Sequence, residues 1–192
     1  MSVHALDVEH LGLRGAITPY WIDDPEPTLV DPGPSTTLDA LAAALERQGV
    51  RLGDVRHVVL THVHLDHAGA AGHIAARAPE AVVWVHEAGA PHMADPERLV
   101  ASTRRVFGEA HDRLWGEVLP VGAGRIRPLA GSAEAAGAGP PGLRVVPSPG
   151  HIAHHLAYLR EADGTLFAGD ALGIILAEGA PAHPPTPPPG VD

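Results

Sequence analysis

The sequence predicts an α/β protein built as a single domain. Its 192 residues are 45% apolar and 19% charged, a composition typical of a globular chain that is long enough to bury a core. Short apolar runs alternate along the chain with segments in which apolar residues recur every three to four positions. The first pattern is typical of buried strands, and the second of helices that pack on a sheet. We therefore expect one domain over residues 1–180, followed by a tail over residues 181–192.

The first third of the chain gives clear strand and helix signals. Residues 16–22 and 28–30 are predicted strands, and residues 55–60 form a third. Between the second and third strands lies a predicted helix that ends at Gly49 and has Thr36 or Thr37 as its N-cap. The i, i+3, i+4 and i+7 spacing of this helix is carried by Leu38, Leu41, Ala42 and Leu45.

The rest of the chain continues the alternation. Further strands are predicted over residues 81–86, 143–146, 157–159 and 166–168, and further helices over residues 69–77, 96–107 and 109–118. Gly108 separates the last two helices. Residues 131–142 are rich in Gly, Ala and Pro, which favours a loop. Six of the twelve residues from position 181 onward are proline, which excludes a helix or a central strand there.

Charge and composition exclude several classes of partner. The net charge is −10, and Arg104-Arg105 is the one pair of adjacent arginines, so the basic surface that binds nucleic acid is missing. No run of about 18 apolar residues predicts a membrane span, and no basic segment followed by an apolar core predicts a secretory signal. The chain has no cysteine, which excludes disulfides and thiolate ligands. We expect a cytoplasmic protein that acts on a small molecule, and the sequence leaves a homodimer open.

Candidate metal ligands are concentrated directly after the third predicted strand. Residues 61–67 read Thr-His-Val-His-Leu-Asp-His, so three imidazoles and a carboxylate fall within seven positions. His62 and His64 alternate on extended backbone, and their side chains therefore point the same way. Asp66 and His67 lie on the turn that follows. Imidazole and carboxylate at this density are the ligands that zinc prefers when thiolates are absent.

Two later motifs supply further candidate ligands. His151 follows Pro-Gly, and Asp170 follows a predicted strand. Other interpretations stay open, because His151 could be a capping or core histidine and Asp170 a simple turn residue. Asp31 ends a strand and is expected to brace the histidine cluster rather than to bind metal. His154 and His155 are expected to support the site or to lie on the surface.

Together these motifs resemble those of the metallo-β-lactamase-fold metallohydrolase superfamily. The resemblance rests on Asp31 in Val-Asp-Pro-Gly, the cluster over residues 62–67, His151 after Pro-Gly, and Asp170 in Gly-Asp-Ala, and it covers most of the chain. Residues 89–118 further resemble the two-helix insertion of a branch near glyoxalase II. The resemblance implies a four-layer αββα sandwich.

The resemblance also implies a role for each ligand. The implied ligands are His62, His64 and His151 for one metal ion, Asp66 and His67 for a second, and Asp170 as the bridge between them. A metal-bound hydroxide would attack the substrate, and Asp66 would act catalytically by accepting its proton in a hydrogen bond. We expect zinc, as one or two ions, with iron or manganese as alternatives.

The end of the chain departs from this pattern. The resemblance implies a final histidine well downstream of Asp170, but the sequence ends 22 residues later, and only His183 lies between. Residues 186–189 resemble a stretch that precedes the final histidine in the same branch. We therefore expect a C-terminally truncated sandwich, with one tight metal site and a second, weaker one.

Three functions are compatible with these residues. The favoured one is a metal-dependent hydrolase acting on a small ester, thioester or lactone. The first alternative is a mononuclear iron enzyme resembling the persulfide dioxygenases, with His62, His151 and Asp170 as a two-histidine, one-carboxylate triad. The second alternative is an inactive fragment that binds metal. Trp115 could contact substrate or simply pack, and residues 96–118 are a candidate lid.

Overall fold

Strands and helices alternate through most of the chain. The computed structural model describes residues 2–131, 139–175 and 180–183. Its strands are β1 (Val3–Ala5), β2 (Tyr20–Ile22), β3 (Thr28–Val30), β4 (His57–Val59), β5 (Val82–His86), β6 (Ile126–Leu129), β7 (Leu143–Pro147), β8 (Leu156–Arg160) and β9 (Leu166–Phe167). Its helices are α1 (Leu38–Arg47), α2 (Leu65–Ala68), α3 (Ala71–Arg77), α4 (Ala90–Ala94), α5 (Glu97–Phe107) and α6 (His111–Trp115).

The first six strands form one mixed sheet in the order β1-β2-β3-β4-β5-β6. β1, β2 and β3 pair antiparallel, whereas β3, β4, β5 and β6 run parallel and are joined by the helices. The two faces of this sheet belong to different cores. Leu29 and Val58 face the cluster that includes α1 and α3, whereas Val30 and Val59 face the opposite cluster. The period-2 geometry of a strand puts neighbouring valines and leucines on opposite faces.

The last three strands form a second, antiparallel sheet in the order β7-β8-β9. Its inner face packs on the first sheet, since Val145, Tyr158 and Phe167 share a buried cluster with Val30 and Val59. The described residues thus build a helical layer, a six-stranded sheet and a three-stranded sheet. The predicted α/β class and two packed sheets are confirmed.

Besides α2, three elements escaped the sequence prediction, for identifiable reasons. β1 and β6 are the edge strands of the first sheet; the former has three residues, and the latter contains Pro128, which an edge strand tolerates because it needs fewer ladder hydrogen bonds. α4 has only five residues and carries proline near its start, where the missing N–H costs nothing. All three are too short for periodicity to reveal.

Several predicted boundaries also shift. The strand predicted over residues 16–22 begins only at Tyr20, directly after Pro19, which cannot donate to a ladder. The helix predicted over residues 69–77 is α3, which begins only at Ala71, and a separate short helix, α2, ends just before Gly69. A Cβ on Gly69 would lie 2.6 Å from the Leu65 carbonyl oxygen and 3.1 Å from the Pro34 Cα. The chain therefore needs glycine at this close approach.

Parts of two predicted segments fall outside the described residues. Residues 132–138 of the loop predicted over 131–142 lie outside the described residues. Residues 184–192 of the proline-rich tail, which include the run over 186–189, also lie outside them. Both assignments stay predictions. Within the described part of the chain, every helix is too short or too polar to span a lipid bilayer.

Candidate metal centre

The candidate ligands converge where strands of the two sheets end. Asp31 follows β3 directly, and His62 and His64 lie in the segment that leads from β4 into α2. Because β3 and β4 are parallel, their carboxyl ends reach the same edge of the sheet. His151 precedes β8 and Asp170 follows β9, so the second sheet brings its ligands to this edge from the other side.

One cluster holds three imidazoles and a carboxylate. His62 Nε2 lies 2.9 Å from His64 Nδ1, and His151 Nε2 lies 2.9 Å from the same atom. Asp170 Oδ2 is 3.3 Å from His151 Nε2. Ligand atoms of these four residues all lie within 4.8 Å of one another. This is the donor set and the spacing that a single bound ion requires.

A second cluster shares the same carboxylate. His67 Nε2 lies 3.2 Å from Asp170 Oδ1 and 3.5 Å from Asp66 Oδ2. Asp66, His67 and Asp170 again offer ligand atoms within 4.8 Å of one another. The two oxygens of Asp170 therefore face the two clusters, one each. Asp170 is therefore a candidate ligand in both clusters.

Asp31 fixes the protonation of two of the imidazoles. Its Oδ1 accepts the Thr61 backbone N–H at 2.8 Å, and its Oδ2 accepts the Thr61 hydroxyl at 2.7 Å. The single hydroxyl proton is thereby used, so in the 3.0 Å contact with His62 it is the His62 Nδ1–H that donates to Thr61 Oγ1. His67 Nδ1–H donates to Asp31 Oδ2 at 2.9 Å. His62 is thereby left with a bare Nε2 that faces the first cluster, and Asp31 fixes the orientation of the His67 ring so that its Nε2 faces the second.

Burial favours the neutral form of two imidazoles in the first cluster. Burial, together with repulsion from neighbouring histidines, holds the pKa of His62 well below its ordinary value. Burial likewise lowers the pKa of His64, although the Asp66 carboxylate opposes it. His64 Nδ1 lies 2.9 Å from both His62 Nε2 and His151 Nε2, and with His62 Nε2 bare these three nitrogens carry more lone pairs than protons to share between them. The residues present therefore fit a metal ion, which accepts all of these lone pairs at once.

The second cluster is electrostatically different. Burial lowers the pKa of His67, but the Asp66, Asp31 and Asp170 carboxylates raise it well above the ordinary value. Burial raises the pKa of Asp170, whereas its hydrogen bond with His67 and the nearby imidazoles bring it below the ordinary value. Three carboxylates around one imidazole make this position strongly attractive to a cation.

His155 and Ser148 hold the backbone of Asp170 in place. The backbone N–H of Asp170 donates to His155 Nε2 at 3.1 Å, and the opposite nitrogen, His155 Nδ1–H, donates to Ser148 Oγ at 2.8 Å. Burial lowers the pKa of His155 to about 4, so the ring is neutral and can accept the Asp170 N–H. Ser148 and Thr61 were not singled out in the sequence, although each neighbours a metal-ligand motif.

Gly169 has to be glycine for this arrangement to form. Its φ is +50°, and a Cβ there would lie 2.6 Å from Thr61 Oγ1 and 2.7 Å from His155 Nε2. A side chain would therefore displace two of the groups that orient ligands.

We expect Gly169→Ala to weaken metal binding about 10–100-fold, the usual effect of disturbing groups that orient ligands. It should also lower the free energy of unfolding by about 1–3 kcal/mol beyond the cost of its positive φ. Gly164→Ala is the matched control, because Gly164 has φ +77° in the same sheet but nothing within 4 Å of its Cβ position. Metal titration and denaturant unfolding check this, and equal effects of the two variants would contradict it.

A cleft of about 920 Å³ opens beside the second cluster. Asp66, His67 and Asp170 line this cleft together with residues 13–18. Leu166, Leu172, Ile174 and Ile175 near this cleft are exposed apolar side chains. The opening gives a small organic molecule access to the metal centre.

The insertion between β5 and β6 is anchored close to the same cleft. Ser35 Oγ donates to the Trp115 carbonyl oxygen at 3.0 Å, and Thr36 Oγ1 donates to the Leu114 carbonyl oxygen at 2.9 Å. α6 is only five residues long, shorter than the helix predicted over 109–118. The role of residues 96–118 as a lid stays a prediction.

Comparison with known proteins decides the family. The family model of the metallo-beta-lactamase superfamily matches residues 14–190. The chain belongs to this superfamily. Among curated superfamily relatives, the probable metallo-hydrolase YqjP of Bacillus subtilis is 29% identical over 175 residues, covering 82% of this chain and 53% of YqjP. The hydroxyacylglutathione hydrolase of Cupriavidus taiwanensis is 32% identical over 162 residues, 81% of this chain and 50% of that protein.

Solved structures agree with the metallo-beta-lactamase assignment. An archaeal superfamily protein from Sulfolobus tokodaii superposes with a TM-score of 0.73 at 21% identity, over 97% of this chain and 69% of that one. A metallo-beta-lactamase family protein from Thermus thermophilus superposes with a TM-score of 0.61 at 26% identity. The match covers 95% of this chain and 62% of that one. The predicted fold is confirmed. This superfamily chain spans about half the length of the curated relatives it matches.

Proposed function

We propose that this chain is a metal-dependent hydrolase acting on a small ester, thioester or lactone. The observation that carries the proposal is the convergence of His62, His64, His151 and Asp170 on one point, with Asp66 and His67 beside it at the end of an open cleft. Six candidate ligand side chains, four imidazoles and two carboxylates, are suited to holding metal ions that activate water. Membership of a superfamily that includes metallo-hydrolases supports the same reaction class.

The donor chemistry favours zinc. The ligands are nitrogen and carboxylate oxygen, with no sulfur, which suits zinc and also admits iron or manganese. A divalent ion bound there would lower the pKa of a coordinated water toward ~7 and polarise a substrate carbonyl. His62, His64 and His151 would hold the first ion, Asp66 and His67 the second, with Asp170 between them.

The side chains around the ions have separate tasks in this proposal. Asp66 lines the cleft, and its side chain is 37% exposed, so its carboxylate can accept a hydrogen bond from the attacking water and fix its direction. Asp31 keeps His62 and His67 in the tautomers that present Nε2. His155 holds the Asp170 backbone in place. These fixed partners pre-orient the ligands before substrate arrives.

A thioester is the preferred substrate class within this proposal. The support is the similarity, at 32% identity, to a hydroxyacylglutathione hydrolase, a protein named for cleaving an acyl thioester of glutathione. The alternative function, a persulfide dioxygenase-like iron enzyme, would need only His62, His151 and Asp170. His64 Nδ1, at 2.9 Å from both histidines, adds a third imidazole and favours hydrolysis.

Metal content and turnover together test the proposal. Protein expressed without metal supplements should contain zinc, alone or mixed with iron or manganese. It should hydrolyse a generic thioester or lactone, and a chelator should remove the activity. Readdition of zinc should restore it.

The same preparation tests the alternatives. Stoichiometric iron, with oxygen consumed on glutathione persulfide and no thioester cleaved, would replace hydrolysis by the dioxygenase function. Bound metal without either reaction would show that the chain is an inactive metal-binding fragment. Absence of bound metal after chelation and reloading would contradict all three functions.

A further inference from the structure

Exposed apolar side chains are concentrated at the cleft beside the metal centre. The described residues include nine large apolar side chains that are exposed, and five of these line the cleft. Isolated apolar residues are common on protein surfaces, but a group of them around one opening is typical of a ligand-binding groove. The five side chains are those of Leu13, Tyr20, Leu166, Ile174 and Ile175.

The cleft also borders the apolar core between the two sheets. Val30 and Phe167 line it, and both belong to the buried cluster that the sheets share. The Tyr20 ring of β2 packs edge-on against the Phe167 ring of β9, with centroids 5.5 Å apart. A hydrocarbon chain bound there would extend the apolar contacts of the core and would shield these side chains from water.

The ionisable groups of the cleft lie almost entirely at the metal centre. Arg14 is the one charged side chain away from the centre among the described residues that line the cleft, and it is 85% exposed, with its Nε 3.6 Å from Asp7 Oδ2. The remaining lining therefore suits an uncharged, apolar part of a ligand. Four ionisable side chains of the lining are candidate ligands or orient them: Asp31, Asp66, His67 and Asp170.

The reaction class indicates which part of the substrate occupies the cleft. Esters, thioesters and lactones all carry an acyl chain on the carbonyl carbon. Their leaving groups differ, being an alcohol, a thiol or, in a lactone, the far end of the acyl chain itself. Asp66 and Asp170 belong both to the clusters and to the cleft lining. A carbonyl at the metal centre therefore places the start of its acyl chain at the cleft.

The size of the cleft favours an acyl chain of several carbons. Its volume of about 920 Å³ lies within the range of roughly 300–1,000 Å³ that is usual for pockets that enclose small organic ligands. An acetyl group would leave most of this volume to water in contact with apolar side chains. Each further methylene removes apolar surface of both the chain and the cleft from water.

We propose that the cleft binds the acyl chain of the substrate, so that the hydrolase prefers apolar acyl chains of several carbons over an acetyl group. This inference rests on the proposed function, because it places the substrate carbonyl at the metal centre. Leu13 and Leu166 determine the preference in this proposal. Neither side chain belongs to the candidate metal ligands.

A series of thioesters tests the preference. The acetyl, butanoyl, hexanoyl and octanoyl thioesters of N-acetylcysteamine share one leaving group. For the zinc-loaded protein, kcat/KM should rise about two- to fourfold per methylene from acetyl to hexanoyl, mainly through a lower KM. Leu13→Ser and Leu166→Ser should each lower the hexanoyl-to-acetyl ratio about threefold or more. Val106→Ser is the matched control, because Val106 is 55% exposed on α5 and does not line the cleft, and it should keep the ratio.

A second series distinguishes the acyl chain from the leaving group. It keeps the acetyl group and lengthens the thiol from ethanethiol to hexanethiol, which should change kcat/KM much less. A gain on the thiol side without one on the acyl side would show that the cleft holds the leaving group, and the proposal would be overturned. An unchanged hexanoyl-to-acetyl ratio in both leucine variants would overturn it as well.

A binding measurement separates the cleft from the chemistry. Zinc-loaded protein is titrated calorimetrically with 2-octanone and with 2-butanone, which are uncharged and cannot be hydrolysed. 2-Octanone should bind about tenfold or more tightly, with the negative heat-capacity change that marks apolar burial. The Leu13→Ser/Leu166→Ser double variant should lose most of this difference. Equal binding of the two ketones would refute the acyl site. Tighter binding of 2-octanone without hydrolysis of any thioester would refute the proposed function and leave the apolar site standing.

Size-exclusion chromatography tests whether the same side chains form a contact between two copies of the chain. The wild type and the Leu13→Ser/Leu166→Ser double variant should elute at the same volume. A dimer that dissociates in the double variant while the preference for longer acyl chains persists would assign the exposed leucines to a subunit interface. The proposal would then be wrong.

Discussion

Replacement of His62 by Ala should eliminate the tight metal equivalent and with it the hydrolysis. His62 is fully buried, and its Nε2 is one of four ligand atoms in the first cluster. Loss of a group that merely orients a ligand costs about 10–100-fold in metal affinity, so loss of the ligand itself should cost more. Metal titration of wild type should show one tight equivalent, because the first cluster offers four ligands, and a second weaker one, because the other offers three.

His57→Ala is the matched control for His62→Ala. His57 starts β4, the strand that leads to His62, and its side chain is only 12% exposed, but it bonds Trp84 and Glu26 instead of facing the cluster. It should lower the free energy of unfolding and leave the tight equivalent unchanged. If His62→Ala still folds cooperatively and still binds one tight equivalent, the first cluster is not the metal site. Two equally tight equivalents in wild type would contradict the predicted ranking of the clusters.

Replacement of Asp66 by Ala should lower kcat of the thioester reaction by about 10²–10⁴-fold, the usual contribution of a positioned proton acceptor. Asp66 borders the cleft and lies 3.5 Å from His67 Nε2, outside the first cluster. The tight metal equivalent should therefore survive, whereas the weaker one should be lost.

Two variants make the Asp66 result specific. Asp66→Asn keeps the size of the side chain but removes its charge, so it should be nearly as slow as Asp66→Ala. Asp39→Ala changes an exposed carboxylate in the first turn of α1 and should leave kcat unchanged. Unchanged hydrolysis in Asp66→Ala would remove Asp66 from the reaction. Loss of the tight equivalent as well would show that the two clusters are not separate sites.

Local sequence was enough to predict the elements that carry strong periodicity and the candidate ligands. α1 begins at Leu38 and β3 spans Thr28–Val30, as predicted, because each buries a regular apolar pattern against a neighbour. The grouping of His62, His64, His151 and Asp170 was implied by the family resemblance of the motifs that carry them, and the structure brings their ligand atoms within 4.8 Å of one another. Short edge strands such as β6 could not be predicted, since their pairing comes from β5 and not from their own four residues.

What the sequence by itself determined is the chemistry available at the site: imidazoles and carboxylates without thiolates, in spacings that place them at strand ends. Only the tertiary structure decided which neighbours bury these side chains, orient them and fix which ring nitrogen carries a proton. The contacts of Thr61 with Asp31, and of His155 with Asp170, join segments 15 to 30 residues apart. His10 and Trp115 meet across more than half of the chain. Hydrogen-bond partners and burial depend on distances in space, and no local pattern of residues contains them.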